Sequence, residues 1–181
     1  MTLSLEERIN ARTARVAVIG LGYVGLPLAV EFARVGYRTV GLDTDVGRAA
    51  AINRGESYIP DVAVGELAAV LTAGRLHATV DYAALGEVDV IFICVPTPFT
   101  TTKAPDTSYV VTASEGIARH LRRGQLVVLQ STTHPGTTEE DVLPILERSG
   151  LRAGRDFHLA FSPERMNPGD QRHTVRNTPK V

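Results

Sequence analysis

Gly20, Gly22 and Gly25 stand at G-x-G-x-x-G spacing after an apolar β-branched run, and Asp43 closes the next such run. Residues of these types at this spacing can hold a dinucleotide. The first glycine permits a tight turn, the second lets a pyrophosphate approach the backbone, and the third allows a helix to pack closely on a strand. Leu21, Tyr23 and Val24 fill the rest of the turn. A carboxylate at Asp43 can accept hydrogen bonds from a ribose diol and repels a 2′-phosphate, so the expected cofactor is NAD rather than NADP. Arg48 stands against that preference, since an arginine nearby can accommodate the phosphate; an exposed helix residue is the other reading. Three glycines out of 16 could meet this spacing by accident. The strand, helix and acid around them make the signal stronger.

Three more clusters follow apolar runs: Val95-Pro96-Thr97-Pro98, Ser131-Thr132-Thr133-His134-Pro135-Gly136 and Ser162-Pro163-Glu164. Ligands in doubly wound sheets bind outside the carboxyl ends of the strands, so the clusters are expected to share one cleft. Ser131 and Thr132 belong near the nicotinamide end of the cofactor. Glu164 can position a water or relay a proton, against the alternative of a solvated turn acid. Thr137 and Glu140 have capping-box spacing, which makes Thr137 and Thr138 helix starters. His134, beside a proline, reads as an incidental loop histidine, and Cys94, inside an apolar run, as a small buried hydrophobe.

The elements that must position these residues alternate along the chain. Strands are expected at 15–20, 38–42, 76–79, 88–95, 125–130 and 157–161, and helices at 23–35, 45–53, 62–73, 108–121 and 139–148. Pro27 lies in the first turns of its helix, where backbone N–H groups have no intrahelical partner, and Gly36 ends that helix. Apolar strands alternating with amphipathic helices imply an α/β, Rossmann-type, doubly wound parallel sheet of about six strands with helices on both faces. The expected order is 3-2-1-4-5-6, with a flavodoxin-like order as the alternative.

At 181 residues, 44% apolar and 22% charged, the chain has length for one well-buried domain, taken as 15–181 behind an extension at 1–14. A net charge of −1 gives no reason to expect nucleic acid as a partner. One cysteine excludes an internal disulfide and a multi-cysteine metal site, so no metal is expected, and it fits a reducing cytoplasm. The N-terminus has no apolar core of signal-peptide length, and no run reaches membrane-spanning length.

GLGYVGLPLA, FICVPTP, STTHPGTTEEDVLPIL and FSPERMNPGD, in this order, resemble the N-terminal domain of the UDP-glucose/GDP-mannose dehydrogenase family nearly from Arg15 to the end. The SPERxNPGD form is most similar to the branch acting on UDP-N-acetylhexosamines; the UDP-glucose branch has a second glutamate where this chain has Pro168. The resemblance implies oxidation of a nucleotide-sugar C6 alcohol to a carboxylate in two NAD-dependent steps through a cysteine-bound intermediate, in a cytoplasmic protein serving surface polysaccharide synthesis. It also implies that residues 20–25, Asp43, Arg48, Val95, Pro96, Thr97 and Thr132 hold NAD, with Ser131 beside them. Thr132 and Glu164 then face the reacting centre. The family's nucleophilic cysteine, its dimerising helix and most of its UDP-sugar site have no counterpart in these residues, so the chain by itself is expected to bind NAD and turn nothing over. A non-enzymatic NAD-sensing module and a hydroxyacid-type dehydrogenase are the competing readings on the same fold.

Overall fold

The structure is a computed structural model that describes residues 3–98 and 105–165; the residues after Arg165, Pro168 among them, lie outside the described residues. Its strands are β1 (Arg15–Ile19), β2 (Arg38–Leu42), β3 (Leu76–Thr79), β4 (Val90–Ile93), β5 (Leu126–Leu129) and β6 (His158–Phe161). They form one sheet in the order β3-β2-β1-β4-β5-β6, with every neighbouring pair parallel. This is the doubly wound order expected above, and the flavodoxin-like alternative is excluded. The chain reverses direction across the sheet between β1 and β4, the switch point at which such sheets bind ligands.

The helices are α1 (Leu5–Asn10), α2 (Gly25–Val35), α3 (Val46–Asn53), α4 (Val64–Thr72), α5 (Ser108–Ala118) and α6 (Leu143–Glu147). Side chains of α2, α3 and α4 share one apolar cluster with Val16, Val18 and Leu76, whereas α5 and α6 share a second with Ala17, Ile91 and Val127. The alternation of neighbouring β1 residues between the two clusters follows from the two-residue period of a strand. Because both faces are covered, the central strands β4 and β5 are apolar throughout rather than alternating.

Three local features depart from the sequence pattern. The strands expected at 88–95 and 125–130 stop short at Val90–Ile93 and Leu126–Leu129, because parallel partners extend only over those residues. The helix expected at 139–148 opens instead with a π-helical turn over Thr138–Val142. Pro144 has no N–H to give to the Glu140 carbonyl, so a continuous α-helical ladder cannot form there. The capping box expected at Thr137 is absent: the Thr137 hydroxyl donates to the His134 carbonyl at 2.9 Å and makes no cap bond. In the opposite sense, the extension at 1–14 contains α1, closed by a reciprocal capping box. The Ser4 hydroxyl accepts from Glu7 N–H, and the Glu7 carboxylate from Ser4 N–H.

Candidate functional site

The glycine turn joins β1 to α2 and is shaped by two close approaches. Gly20 has φ +88°, and a Cβ there would lie 2.6 Å from the Cys94 carbonyl oxygen; at Gly25 it would lie 1.7 Å from the Gly20 carbonyl oxygen. Neither site has room for a side chain, so the turn presses α2 against β1 and β4. Gly22 is different: a Cβ there meets nothing within 4 Å. Nothing in the chain itself requires glycine at that position, and the open space lies where a pyrophosphate needs backbone approach. Val24, at the start of α2, provides no side-chain cap. The N-terminus of an eleven-residue helix is thereby left to accept a negative group from outside.

A cleft of about 570 Å³ opens over this turn, in the size range of cofactor pockets. From the turn come Gly20, Gly22, Tyr23 and Val24; from the end of β2, Asp43 and Thr44, with Arg48 from the first turn of α3; from the β4 end, Cys94, Val95, Pro96 and Thr97. Gln130, Ser131 and Thr132 close it from β5, and Glu164 from the segment after β6. The four clusters therefore meet in one cleft. Two of the expected cofactor residues do not line it. Gly25 is buried beneath the turn, and the Leu21 side chain is 1% exposed, packed across Gly41 of β2. The Leu21 backbone N–H and carbonyl are instead held by Asp43 and Tyr58.

Asp43 is 6% exposed and has its two carboxylate oxygens directed by backbone donors: Leu21 N–H gives to Oδ2 at 2.8 Å and Asp45 N–H to Oδ1 at 2.9 Å. Each oxygen keeps a further lone pair for a ligand hydroxyl. Asp45 caps α3 by accepting from Gly47 and Arg48 N–H. The Arg48 guanidinium lies 3.7 Å from Asp43 and 3.8 Å from Asp45, above the Tyr58 ring at 5.8 Å. Two carboxylates thus balance the one cation that weighed against NAD. Burial, followed by the charge of Asp43, pushes the Tyr58 hydroxyl up to about 12, so it stays protonated; burial and Asp43 raise Tyr82 as well.

At the opposite end, side chains tie the loops to one another. The Ser131 hydroxyl donates to the Val95 carbonyl at 2.7 Å, and the Thr97 hydroxyl to the Thr132 carbonyl at 2.5 Å. Ser131 is thereby engaged in joining the β4 and β5 ends, while the Thr132 side chain remains exposed. The Gln130 amide, 2% exposed, donates to Glu164 Oε2 at 2.6 Å. Sequence reasoning missed Gln130, Tyr58, Tyr82 and Tyr109; the only signal for Gln130 was its place at the end of an apolar strand. His134 lies outside this cleft, in a separate groove with Pro135 and Phe161. Cys94 is 8% exposed and packs in the core, in keeping with the reading from sequence. Among the described residues no cluster of His, Cys, Asp and Glu is arranged to hold a metal ion.

Residues 14–181 match the model of the NAD binding domain of the UDP-glucose/GDP-mannose dehydrogenase family. The chain is 46% identical to a UDP-N-acetyl-D-glucosamine 6-dehydrogenase of Pseudomonas aeruginosa, over 92% of its own length and 39% of that protein's. It is 41% identical to a UDP-N-acetyl-D-mannosamine dehydrogenase of Pyrococcus horikoshii, over 86% of this chain and 37% of that one. Among solved structures, a ternary complex of GDP-mannose dehydrogenase from Pseudomonas aeruginosa superposes with a TM-score of 0.82 at 34% identity, covering 85% of this chain and 37% of the other. The chain thus spans well under half the length of the relatives it matches.

Proposed function

This chain belongs to the UDP-glucose/GDP-mannose dehydrogenase family and carries its NAD-binding domain, and from that premise we propose that it holds NAD for the oxidation of a UDP-sugar C6 alcohol, with UDP-N-acetylhexosamine as the sugar class. The observation that carries the reading is the polarity of the cleft. One end has the glycine turn and Asp43, suited to the diphosphate and adenosine ribose; the other has Thr132 and Glu164, suited to the reacting carbon. NAD supplies the hydride acceptor. The chain's own task is orientation: Gly22 gives backbone access, Asp43 fixes the ribose, and Val95, Pro96 and Thr97 form the wall between the two ends.

In this reading Thr132 and Glu164 are the catalytic residues of these segments. The Gln130 amide sets the direction of the Glu164 carboxylate, which positions a water and takes up a proton as the alcohol loses its hydride. The covalent step implied by the sequence resemblance needs an activated thiolate, and Cys94, packed in the core below the turn, is not placed to provide one. The chain alone therefore binds NAD without oxidising the sugar. The complete enzyme works as a homodimer or larger assembly in the cytoplasm and delivers a uronic acid for surface polysaccharide. Among the described residues no helix is long and apolar enough to cross a membrane.

Calorimetry with NAD, and the absorbance of reduced nicotinamide after adding UDP-N-acetylglucosamine, test this together. Saturable NAD binding with no reduction by this chain is expected, and reduction by a protein carrying further sequence beyond Val181. A folded chain without NAD affinity, or one that turns over a small hydroxyacid, overturns the proposal.

A further inference from the structure

We propose that Tyr58, which lies outside the cleft lining, is the positioning residue of its diphosphate and adenosine end: its hydroxyl orients the Leu21–Gly22 peptide and its ring parks Arg48. The inference rests on reading the cleft as the NAD site. Tyr58 comes from the connection between α3 and α4, and its hydroxyl donates to the Leu21 carbonyl at 2.8 Å. On the other side of the same residue, Leu21 N–H is held by Asp43. The two peptide planes that flank the Leu21 Cα are therefore each fixed by a side chain from a different element.

The consequence follows from peptide geometry. In a planar trans peptide the C=O and the N–H point in opposite directions. With the Leu21 carbonyl drawn to Tyr58, the N–H of the same plane, that of Gly22, points away from it, and Gly22 lines the cleft. A donor on the carbonyl also polarises the amide, so Tyr58 both aims and strengthens the N–H offered to a diphosphate. The ring has the second task. The guanidinium of Arg48 rests over it, which keeps the arginine beside Asp43 and Asp45 rather than extended into solvent. Because the hydroxyl is pushed up to about 12, it remains a donor across the working pH range.

Two substitutions separate the tasks. Tyr58→Phe keeps the ring and removes the hydroxyl; loss of one such hydrogen bond is expected to weaken NAD and ADP-ribose together by about three- to tenfold. Adenosine, which has no diphosphate, is expected to bind Tyr58→Phe as it binds the unaltered chain. Tyr58→Leu also releases Arg48, and adenosine affinity then falls too. A merely structural role would lower the melting temperature and weaken all three ligands alike. Calorimetry with NAD and ADP-ribose, and competition with adenosine, read the pattern. ADP-ribose affinity within twofold in Tyr58→Phe, or equal loss for adenosine, overturns the inference. Failure of the unaltered chain to bind NAD or ADP-ribose overturns the site reading itself.

Discussion

The two ends of this sheet use buried polar groups in different ways. Below the amino ends of β4, β5 and β6 lie Asp89, Gln125 and Asp156, all nearly inaccessible. Asp89 accepts from Arg15 N–H, Arg8 and Arg122; Gln125 donates to the Leu85 and Val88 carbonyls; Asp156 accepts from Arg152 N–H, Arg123 and Arg155. These groups are turned inward and saturated by the chain. Beyond the carboxyl ends, Asp43 and Glu164 are also anchored, by neutral donors, yet both still line the cleft. What separates a structural carboxylate from a candidate binding one here is direction: both are held, but only one kind is held facing space.

Removing a saturated group should therefore cost stability and leave the cofactor alone. Asp89→Ala strands Arg8 and Arg122 beside an apolar strand end and is expected to cost about 3 kcal/mol, near the lower bound for breaking a buried pair because both arginines keep some solvent. Urea unfolding measures it. NAD affinity should be unchanged in the folded fraction, and a tenfold change there would erase the distinction between the ends. Gly22→Ala is the converse. Its backbone is not left-handed and its Cβ meets nothing, so the melting temperature should hold. A methyl group in the diphosphate path should cost about 1–3 kcal/mol of binding, which is about five- to 150-fold in affinity.

How much of this was legible in the sequence depends on the range of the interaction. The glycine turn and Asp43 were readable because their roles follow from spacing along one strand–turn–helix unit. The strand order matched the commoner doubly wound pattern, although right-handed crossovers alone admit a flavodoxin-like order equally well. The convergence of Thr97, Thr132 and Glu164 followed from that order. Tyr58 was not readable: its bond to Leu21 joins residues 37 positions apart, and nothing in a solitary aromatic before Ile59 and Pro60 marks its partner. Gln130 looked like the last residue of a strand for the same reason. The misread capping box at Thr137 is a local failure. The spacing was right, but Gly136 with φ +95° and the following π turn took the Thr137 hydroxyl back to His134 instead. Leu5–Asn10 shows the reverse, a Ser4–Glu7 capping signal passed over because the segment precedes the first strong apolar run.

The saturated end should also dominate the response to acid. The Arg155 hydrogen bond, outweighing burial, holds Asp156 down to about 2, and Asp89 lies below the ordinary range because its N–H and arginine partners outweigh burial. An ordinary aspartate titrates near about 3.9. Both folded-state values are depressed, so each contribution is present above about pH 4, where an unfolded aspartate is ionised, and is lost as pH falls through the folded value, which for Asp156 is about 2. Asp156→Asn should therefore lower the urea midpoint at pH 6 but approach the unaltered chain at pH 2.5. A gap of constant size across that window would mean that Asp156 acts through shape rather than charge.

Among the cleft residues, the smallest effect on cofactor affinity is expected where the comparison is sharpest. Glu164, like Asp156, is oriented by hydrogen bonds, here from the Gln130 amide at 2.6 Å and from Arg165 N–H, but it sits in the cleft wall opposite the glycine turn. Glu164→Gln keeps the size of the side chain and an oxygen that can still accept from Gln130, giving up the bond from Arg165 N–H, so it should stay in the cleft wall. In this chain NAD affinity should change by less than about twofold, since no strong charge-assisted contact to the nucleotide is removed. In the complete enzyme the same substitution should instead lower kcat by about a hundredfold or more, the scale of a lost general acid–base group. A large loss of NAD affinity would place Glu164 with Asp43 in the nucleotide end, and an unchanged kcat would make it a structural acid like Asp156. Only the split between affinity and rate makes it a residue of the reacting end.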